Sequence, residues 1–216
     1  MTQQLKTSST TDFEARKKAF HEAMKKAESQ VSAATTEVAK LRAEMKTQTA
    51  EAKRKTAAQI QEATKQLDAA RQQEQRTVEA HLKAIHEDIE ATNAELKHAT
   101  AAAKMAGEAK AKLMREEYES ARHSLIAVMD AEVAEWKGRI DEATRLAGEV
   151  KSDVKAKVQK QLADVQAKHD AAQKKLQAVK QADTKAFHEL QRGMQAAIGE
   201  VKTALQHARA DIDAAL

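Results

Sequence analysis

Histidines are the residues in this sequence most able to support metal binding or catalysis. The chain has eight of them, and His86 and His188 are each followed by Glu, as at the start of the HExxH motif of zinc peptidases. The motif fails both times, because its last position holds Glu90 or Arg192. His81 and His86 are five residues apart, a spacing that points two helical side chains in different directions. We interpret the histidines as surface or helix-packing residues.

Acidic pairs are the second candidate for chemistry. Glu116-Glu117 and Asp141-Glu142 contain groups that can act as general acids and bases. Adjacent residues of a helix diverge, however, and a catalytic pair needs a dry pocket that separates the two pKa values. The sequence has neither a Gly-rich phosphate loop nor a nucleophile elbow. We interpret these carboxylates as solvated helix surface and predict a non-enzymatic protein with no metal and no cofactor.

The elements that carry these side chains are predicted to be long α-helices. The chain has no Pro and only five Gly, and it is rich in Ala, Lys, Glu, Gln and Arg, which are strong helix formers. Aromatic residues make up 2% of it, so much of the apolar content is Ala, which buries little area. We therefore predict an all-α fold of long coiled-coil helices, folded back as hairpins or as an elongated bundle.

Charge and targeting signals limit the partners and the compartment. Although the net charge is +4, acidic and basic side chains alternate, which argues against specific nucleic-acid binding. We recognise neither a signal peptide nor a run of apolar residues long enough to span a membrane. The lack of Cys fits a reducing compartment. We expect a soluble, cytoplasmic protein.

Apolar side chains recur in the first half at the spacing of a coiled coil. Two rows with a seven-residue period are offset by three and four, and together they form the a and d positions of a seam. The phase slips between Ala52 and Ile60, where a bend or turn could lie. The first row contains Phe13, Phe20, Ala27, Ala34 and Leu41, and the second contains Met24, Val31, Val38, Met45 and Ala52. A second seam contains Val78, Leu82, Ile85, Ile89, Leu96, Ala99 and Ala103.

The second half shows similar spacing with a different ending. Gly107 is the best candidate for a helix break, because Gly tolerates the conformations that end helices. Trp136 follows the apolar phase, which favours helix packing over ligand stacking. Near the C-terminus the period becomes eleven residues, typical of a straight or slightly right-handed stripe. The packing positions predicted after Gly107 are Trp136, Ile140, Val150, Val154, Leu176, Phe187, Leu190, Met194, Ile198, Val201 and Leu205.

Three divisions of the chain follow from these patterns. Residues 1–11 are predicted to be a disordered arm, and a capping box from Thr11 to Glu14 is predicted to start the first helix. Residues 12–106 and 107–216 are predicted to be two helical coiled-coil units. An offset of 109 residues aligns several apolar positions of the two halves without gaps, so the second unit could be a duplicate of the first.

Three segments carry a resemblance to known proteins. They are EWKGRIDEA at 135–143, QKKL at 173–176 and AFHELQRGM at 186–194. On these segments, residues 135–208 resemble small bacterial coiled-coil proteins that are often described as apolipoprotein-like. This resemblance implies helices and no catalytic residues. The 109-residue offset, with a Trp in an early helix, also resembles a spectrin repeat of three helices.

Two functions agree with these predictions. The first is a structural or interaction protein that self-associates through its Ala-rich seams into a homo-oligomer such as a filament or sheath. The second is an amphipathic-helix protein whose C-terminal stripe coats a lipid or hydrophobic granule surface, as apolipoproteins and phasins do. The sequence does not choose cleanly between protein and lipid as the partner of that stripe.

Overall fold

The protein is all-α, as the composition predicts. A computed structural model describes the backbone of residues 2–45, 50–97, 101–150 and 152–215, and the side chains of residues 12–44, 56–97, 104–150, 154–184 and 186–215. The described residues form five α-helices and no strand. The helices are α1 (Thr2–Met45), α2 (Ala50–Leu96), α3 (Ala101–Ala147), α4 (Ser152–Gln181) and α5 (Thr184–Ala215).

Helix contacts divide the chain into two units. Unit 1 is Met1–Leu125 and contains α1, α2 and the first part of α3. Unit 2 is Ile126–Leu216 and contains the rest of α3, with α4 and α5. The sequence placed the boundary at Gly107, which lies inside α3. A Gly in a helix costs only about 1 kcal/mol relative to Ala, so a single Gly does not end a helix that is packed against others.

In unit 1, α1 and α2 lie antiparallel. Near one end of the pair, Val38 and Leu41 of α1 pack with Ile60 and Leu67 of α2. Near the other end, Arg16 Nη2 donates a hydrogen bond of 2.6 Å to Asp88 Oδ2. The prediction that the helices fold back on one another is therefore confirmed.

The first chain reversal lies close to the predicted interval. Helix α1 ends at Met45 and α2 begins at Ala50, just before the phase slip between Ala52 and Ile60. Helix α1 begins at Thr2, so it includes the segment predicted to be a disordered arm, and Thr11 lies within it. Residues 2–11 contain no Pro or Gly, and Ser and Thr disfavour a helix by only a fraction of a kcal/mol.

The second reversal separates Leu96 from Ala101, before Gly107. Beyond it, α3 returns antiparallel to α2: Thr92 of α2 contacts Met114 of α3, with Oγ1 and Sδ 3.8 Å apart. The Leu96 side chain lies over Gly107, and a Cβ added at Gly107 would be 2.5 Å from Leu96 Cδ2. Gly107 therefore allows the close packing of α2 on α3 and does not break α3.

In unit 2, α4 packs against α3 and α5. Lys180 Nζ donates to Asp130 Oδ1 of α3 at 2.7 Å, and Gln161 Nε2 donates to Asp211 Oδ2 of α5 at 2.7 Å. Asp183 begins α5 as an N-cap, because its Oδ1 accepts a hydrogen bond of 2.9 Å from the Ala186 amide.

The helix ends do not follow the 109-residue offset. That offset aligns Gln73 and Glu74, inside α2, with Ala182 and Asp183, which lie between α4 and α5. Helix α2 is continuous where its proposed counterpart is divided. If the second half is a duplicate of the first without gaps, a turn must have arisen in one copy alone.

Candidate functional site

A lysine occupies a core position of the first seam. Extending the row of Met24, Val31 and Val38 back by seven residues reaches Lys17, which therefore takes an a position of the heptad. A Lys at an a position stabilises a helix pair less than an apolar residue does, and it can select one register of pairing. Its ammonium group needs a partner, which the third helix of unit 1 provides.

The partner is Glu117 of α3, a carboxylate at the centre of a polar cluster. Lys17 Nζ lies 2.7 Å from Glu117 Oε2, and His81 Nε2 lies 3.1 Å from Glu117 Oε1. His21 Nε2 is 3.4 Å from the same Oε1. The Glu117 side chain is only 4% exposed, and the Lys17 side chain is 37% exposed. The cluster of Lys17, His21, His81 and Glu117 thus joins all three helices of unit 1.

Stacking and hydrogen bonding orient His81 within this cluster. Its ring lies parallel to that of Phe20, with an interplanar angle of 8° and 3.8 Å between the ring centroids. An ionised carboxylate only accepts hydrogen bonds, so Nε2 of His81 carries the hydrogen that is donated to Glu117. Phe20 is itself a seam residue, so packing of α1 on α2 determines where His81 can donate.

The pKa values in the cluster are shifted in directions that keep Glu117 and Lys17 charged. Burial raises the pKa of Glu117, but hydrogen bonds from Lys17 and His81 outweigh burial and leave that pKa below its usual value. The hydrogen bond to Glu117 raises the pKa of Lys17. Burial lowers the pKa of His81, although its hydrogen bond to Glu117 opposes the shift. At neutral pH the cluster therefore holds an ion pair with a neutral His81.

This arrangement is suited to fixing helix positions. Both oxygens of Glu117 have partners from other helices, and Phe20 covers one face of His81. Among the described residues, no group of three or more His, Asp or Glu side chains could hold a metal ion. The interactions of Glu117 are thus made with neighbouring helices, where a buried ion pair can specify which helices pair and in which register.

Unit 2 has a smaller set of buried polar side chains. His169 of α4 is 1% exposed, and its Nε2 lies 2.9 Å from the Val133 carbonyl oxygen of α3. Arg139 donates to Glu135 Oε1 from Nη2 at 2.6 Å, and its guanidinium carbon lies 4.3 Å from the centre of the Trp136 ring. Trp136 is buried, and its assignment to helix packing stays a prediction.

Most residues predicted to pack between helices are buried, and they are divided between the two units. In unit 1 the buried ones are Phe13, Phe20, Met24, Val38, Leu41, Val78, Leu82 and Ile85, while Val31, Ile89 and Leu96 are half-buried. In unit 2 the buried ones are Trp136, Ile140, Val150, Leu176, Phe187, Met194, Ile198, Val201 and Leu205, while Val154 and Leu190 are half-buried. The side chains of Met45, Ala52, Ala99 and Ala103 lie outside the described residues.

The interpretation of the acidic pairs as solvated surface is wrong for one residue. Glu116 is exposed, with a relative side-chain accessibility of 61%, but Glu117 is buried. A signal was present in the sequence, since Glu117 directly precedes Tyr118, and His81 directly precedes Leu82, each a buried core residue. Residues that flank a seam reach across to neighbouring helices, so a charge there can become buried when a third helix packs on the pair.

The fold and the cluster define a class: an all-α protein in which apolar seams and buried polar side chains hold the helices of each unit together. No helix of the described residues is long and apolar enough to cross a membrane. No protein-family model matches the chain, and comparisons with curated proteins and with solved structures find no match.

Proposed function

We propose that this is a non-enzymatic structural protein that acts by associating with other copies of itself. One observation carries the proposal. Glu117 and His81, the side chains most able to take part in acid–base chemistry, make their contacts with other helices of the same unit. Contacts of this kind serve helix pairing. They can form equally well between helices of one chain and helices of two chains.

The seams are already occupied within each unit, which determines how association through them would proceed. Val38 and Leu41 are buried against α2, so they cannot meet a second copy while α1 stays in place. A copy of α1 from another chain, however, would present the same side chains to α2. Exchange of identical elements is a route to oligomers that needs no new contact. Reciprocal exchange gives a dimer, and exchange passed from copy to copy gives a filament.

A cross-link between α1 and α2 tests this mechanism. The chain has no native Cys, so Arg16→Cys with Asp88→Cys introduces the only two thiols, at side chains that contact each other at 2.6 Å. A short bismaleimide applied to dilute protein would hold α1 on its own α2. The matched control is the single variant Arg16→Cys, capped with N-ethylmaleimide.

Light scattering over a range of concentrations gives the outcome. We expect the mass of the control to rise with concentration and that of the cross-linked protein to stay at one chain. If the control also keeps the mass of one chain throughout, the proposal of self-association fails. If both rise together, association does not use exchange of α1.

A second candidate function, coating of a lipid or hydrophobic surface, is favoured by α5. It is the most strongly amphipathic of the described helices, and its Phe187, Met194 and Ile212 are fully buried in unit 2. Lipid binding would require this apolar face to leave α4. Lys157→Cys with Asp211→Cys, cross-linked at a contact of 2.8 Å, would prevent that movement.

Vesicles of phosphatidylcholine and phosphatidylglycerol distinguish the two functions. Coating predicts that the chain co-floats with vesicles and that the cross-linked form does not. Equal flotation of both forms, or none of either, would contradict the coating mechanism. A cytoplasmic location, supported by the absence of Cys, is part of the proposal and is tested by cell fractionation.

A further inference from the structure

The carboxylate of Glu117 on α3 is shared between α1 and α2. Its Oε2 lies 2.7 Å from Nζ of Lys17 on α1, and its Oε1 lies 3.1 Å from Nε2 of His81 on α2. His21 of α1 approaches the same Oε1 at 3.4 Å. One negative charge thus holds both helices on α3, and it can balance only one positive charge.

Most of the charge that faces His81 comes from α1. The titratable and charged groups around it are Arg16, Lys17 and His21 of α1 and Glu117 of α3. Arg16 is balanced separately, because its Nη2 lies 2.6 Å from Asp88 Oδ2 of α2. The His21 side chain is 54% exposed, so water screens it. Lys17 and His81 are therefore the two groups that depend on Glu117.

A proton on His81 changes the balance of charge. The ring is 7% exposed, so it would carry a buried positive charge beside Lys17, with a single carboxylate between the two cations. A buried charge without its own counterion is strongly unfavourable. Lys17 is 37% exposed and can be solvated, whereas His81 and Glu117 lie inside the unit. The cost is relieved most easily when Lys17, and α1 with it, gives up the carboxylate.

We propose that a proton on His81 favours the release of α1 from α2 and α3, so that mild acid opens unit 1 at the polar cluster. The proton moves Glu117 from an ion pair with α1 to an ion pair with α2. Helices α2 and α3 stay joined through that pair and through Thr92 and Met114, whose Oγ1 and Sδ are 3.8 Å apart. Release of α1 in turn controls its exchange between copies, and that step rests on the proposed self-association.

The pKa of His81 gives the pH range of this control. Burial lowers that pKa, the hydrogen bond to Glu117 raises it, and His21 and Arg16 lower it further. Release of α1 removes its two groups and much of the burial while Glu117 stays, so His81 binds a proton more readily once α1 has left. The docking of α1 therefore weakens as pH falls below 6.5. One proton and an ordinary pKa of about 6.5 limit the change to about tenfold at about pH 5.5.

Hydrogen exchange measured by mass spectrometry tests the release in the native chain. Amide protection in residues 12–44 of α1 and 56–96 of α2 would be compared at about pH 7.5 and about pH 5.5, after correction for intrinsic exchange rates. We expect the protection of α1 to fall several-fold, up to about tenfold, while α2 loses less. An equal loss in both helices, or no loss in α1, would overturn the release of α1.

The variant His81→Gln separates His81 from the other histidines. Gln keeps an N–H donor for Glu117 but does not take up a proton. We expect the protection of α1 in this variant to lose its dependence on pH. The matched control is His123→Gln, at an exposed histidine of the same unit, which should keep that dependence. If both variants behave like the native chain, His81 is not the group that controls α1.

The variant Lys17→Met gives a second test with the opposite sign. It removes the cation that shares Glu117 with His81, so a proton on His81 would then supply the missing positive charge. Protection of α1 should rise in this variant as pH falls from about 7.5 to about 5.5. A fall as large as that of the native chain would contradict the sharing of Glu117 between two cations.

Mixed labelled chains show whether the proton also controls association. Donor and acceptor dyes attached through Ser32→Cys, an exposed position of α1, report exchange as energy transfer grows in the mixture. We expect this growth to be up to about tenfold faster at about pH 5.5 than at about pH 7.5. Loss of α1 protection without energy transfer at either pH would support the release and overturn self-association. Equally fast growth at both pH values would overturn control by the proton and leave self-association intact.

Discussion

The buried cluster of unit 1 makes its stability depend on pH, and Glu117→Gln tests this dependence. Gln has nearly the shape of Glu but no charge, so the substitution removes the ion pair with Lys17 while leaving an acceptor for His81. A hydrogen bond to a charged group contributes about 1.5–3 kcal/mol. Because the Lys17 side chain is 37% exposed and water can solvate its ammonium group in the variant, we expect a loss of about 1–2 kcal/mol.

The difference in the free energy of unfolding between the native protein and Glu117→Gln should pass through a maximum as pH falls. The pKa of His81 in the folded state lies below 6.5, so stability is lost as pH falls from 6.5 toward that pKa. Glu117 opposes this loss, since its hydrogen bond raises the pKa of His81, and the variant therefore loses more in this range. The pKa of Glu117 lies below 4.5, so below 4.5 the native protein loses its own advantage. The difference should be largest between the two values.

Thermal denaturation followed by far-UV circular dichroism measures this difference. At neutral pH a loss of 1–2 kcal/mol corresponds to a fall in the melting temperature of roughly 3–10 °C for a unit of this size. Glu116→Gln is the matched control, because Glu116 is adjacent, exposed and paired only at 3.9 Å with Lys112. A difference for Glu117→Gln that is absent, or that stays constant with pH, would refute the assignment of the cluster.

Five further substitutions, taken as three tests, examine the packing. Burial raises the pKa of Glu74, so Glu74→Gln should stabilise the fold by about 1 kcal/mol or less above pH 4.5, and urea denaturation should show no gain below pH 4.5. Gly138→Ala, where the new Cβ meets nothing within 4 Å, should raise the melting temperature by more than Gly107→Ala; the reverse order would contradict the close packing at Gly107. Leu41→Asp should lower both the melting temperature and the oligomer mass, and Val31→Asp should lower them less because Val31 is half-buried; equal values for both variants and the native chain would refute the seam.

Periodicity predicts helices and core faces because both depend on local sequence. Val78 and Ile85 occupy one face of a helix whatever lies opposite, and each is almost fully buried. Turns were harder to predict, because their positions depend on how long each helix must be to match its neighbour. The reversal between Leu96 and Ala101 precedes Gly107. The one at Ala182 and Asp183 contains no Gly or Pro. Asp183 was the available signal, since Asp favours an N-cap.

The polar cluster could not be predicted because it requires three helices to be placed together. Lys17 could have been recognised as an interruption of the Met24 row, and that interruption predicts a polar partner. Nothing in the spacing identifies Glu117, on a helix one hundred residues away in sequence, as that partner. A flanking position becomes part of a core only when the third helix covers it.

The cluster also supplies what an Ala-rich seam lacks, which is discrimination between registers. Ala27 and Ala34 are seven residues apart, so a shift of α1 by one heptad along its neighbours puts one Ala in the place of the other. The contacts of that position would stay nearly the same. The same shift would bring Met24 to the position of Lys17, and Glu117 would then be buried without its ammonium partner. Leaving a buried charge unpaired costs about 3–5 kcal/mol, more than several Ala contacts contribute. The ion pair therefore fixes the register of α1 whether its partners belong to the same chain or to another.

A triple variant separates this role from stability. Lys17→Met, His81→Leu and Glu117→Leu together replace the cluster with apolar side chains, and replacing a buried ion pair in this way is often neutral or stabilising by about 1–4 kcal/mol. We expect a melting temperature at or above that of the native chain, together with more oligomeric species in native mass spectrometry than the native chain gives at the same concentration. A triple variant that is less stable than Glu117→Gln and forms the same oligomers as the native chain would contradict this role. The cluster would then act by stabilisation, and the register of α1 would be set by Phe20 and the remaining seam alone.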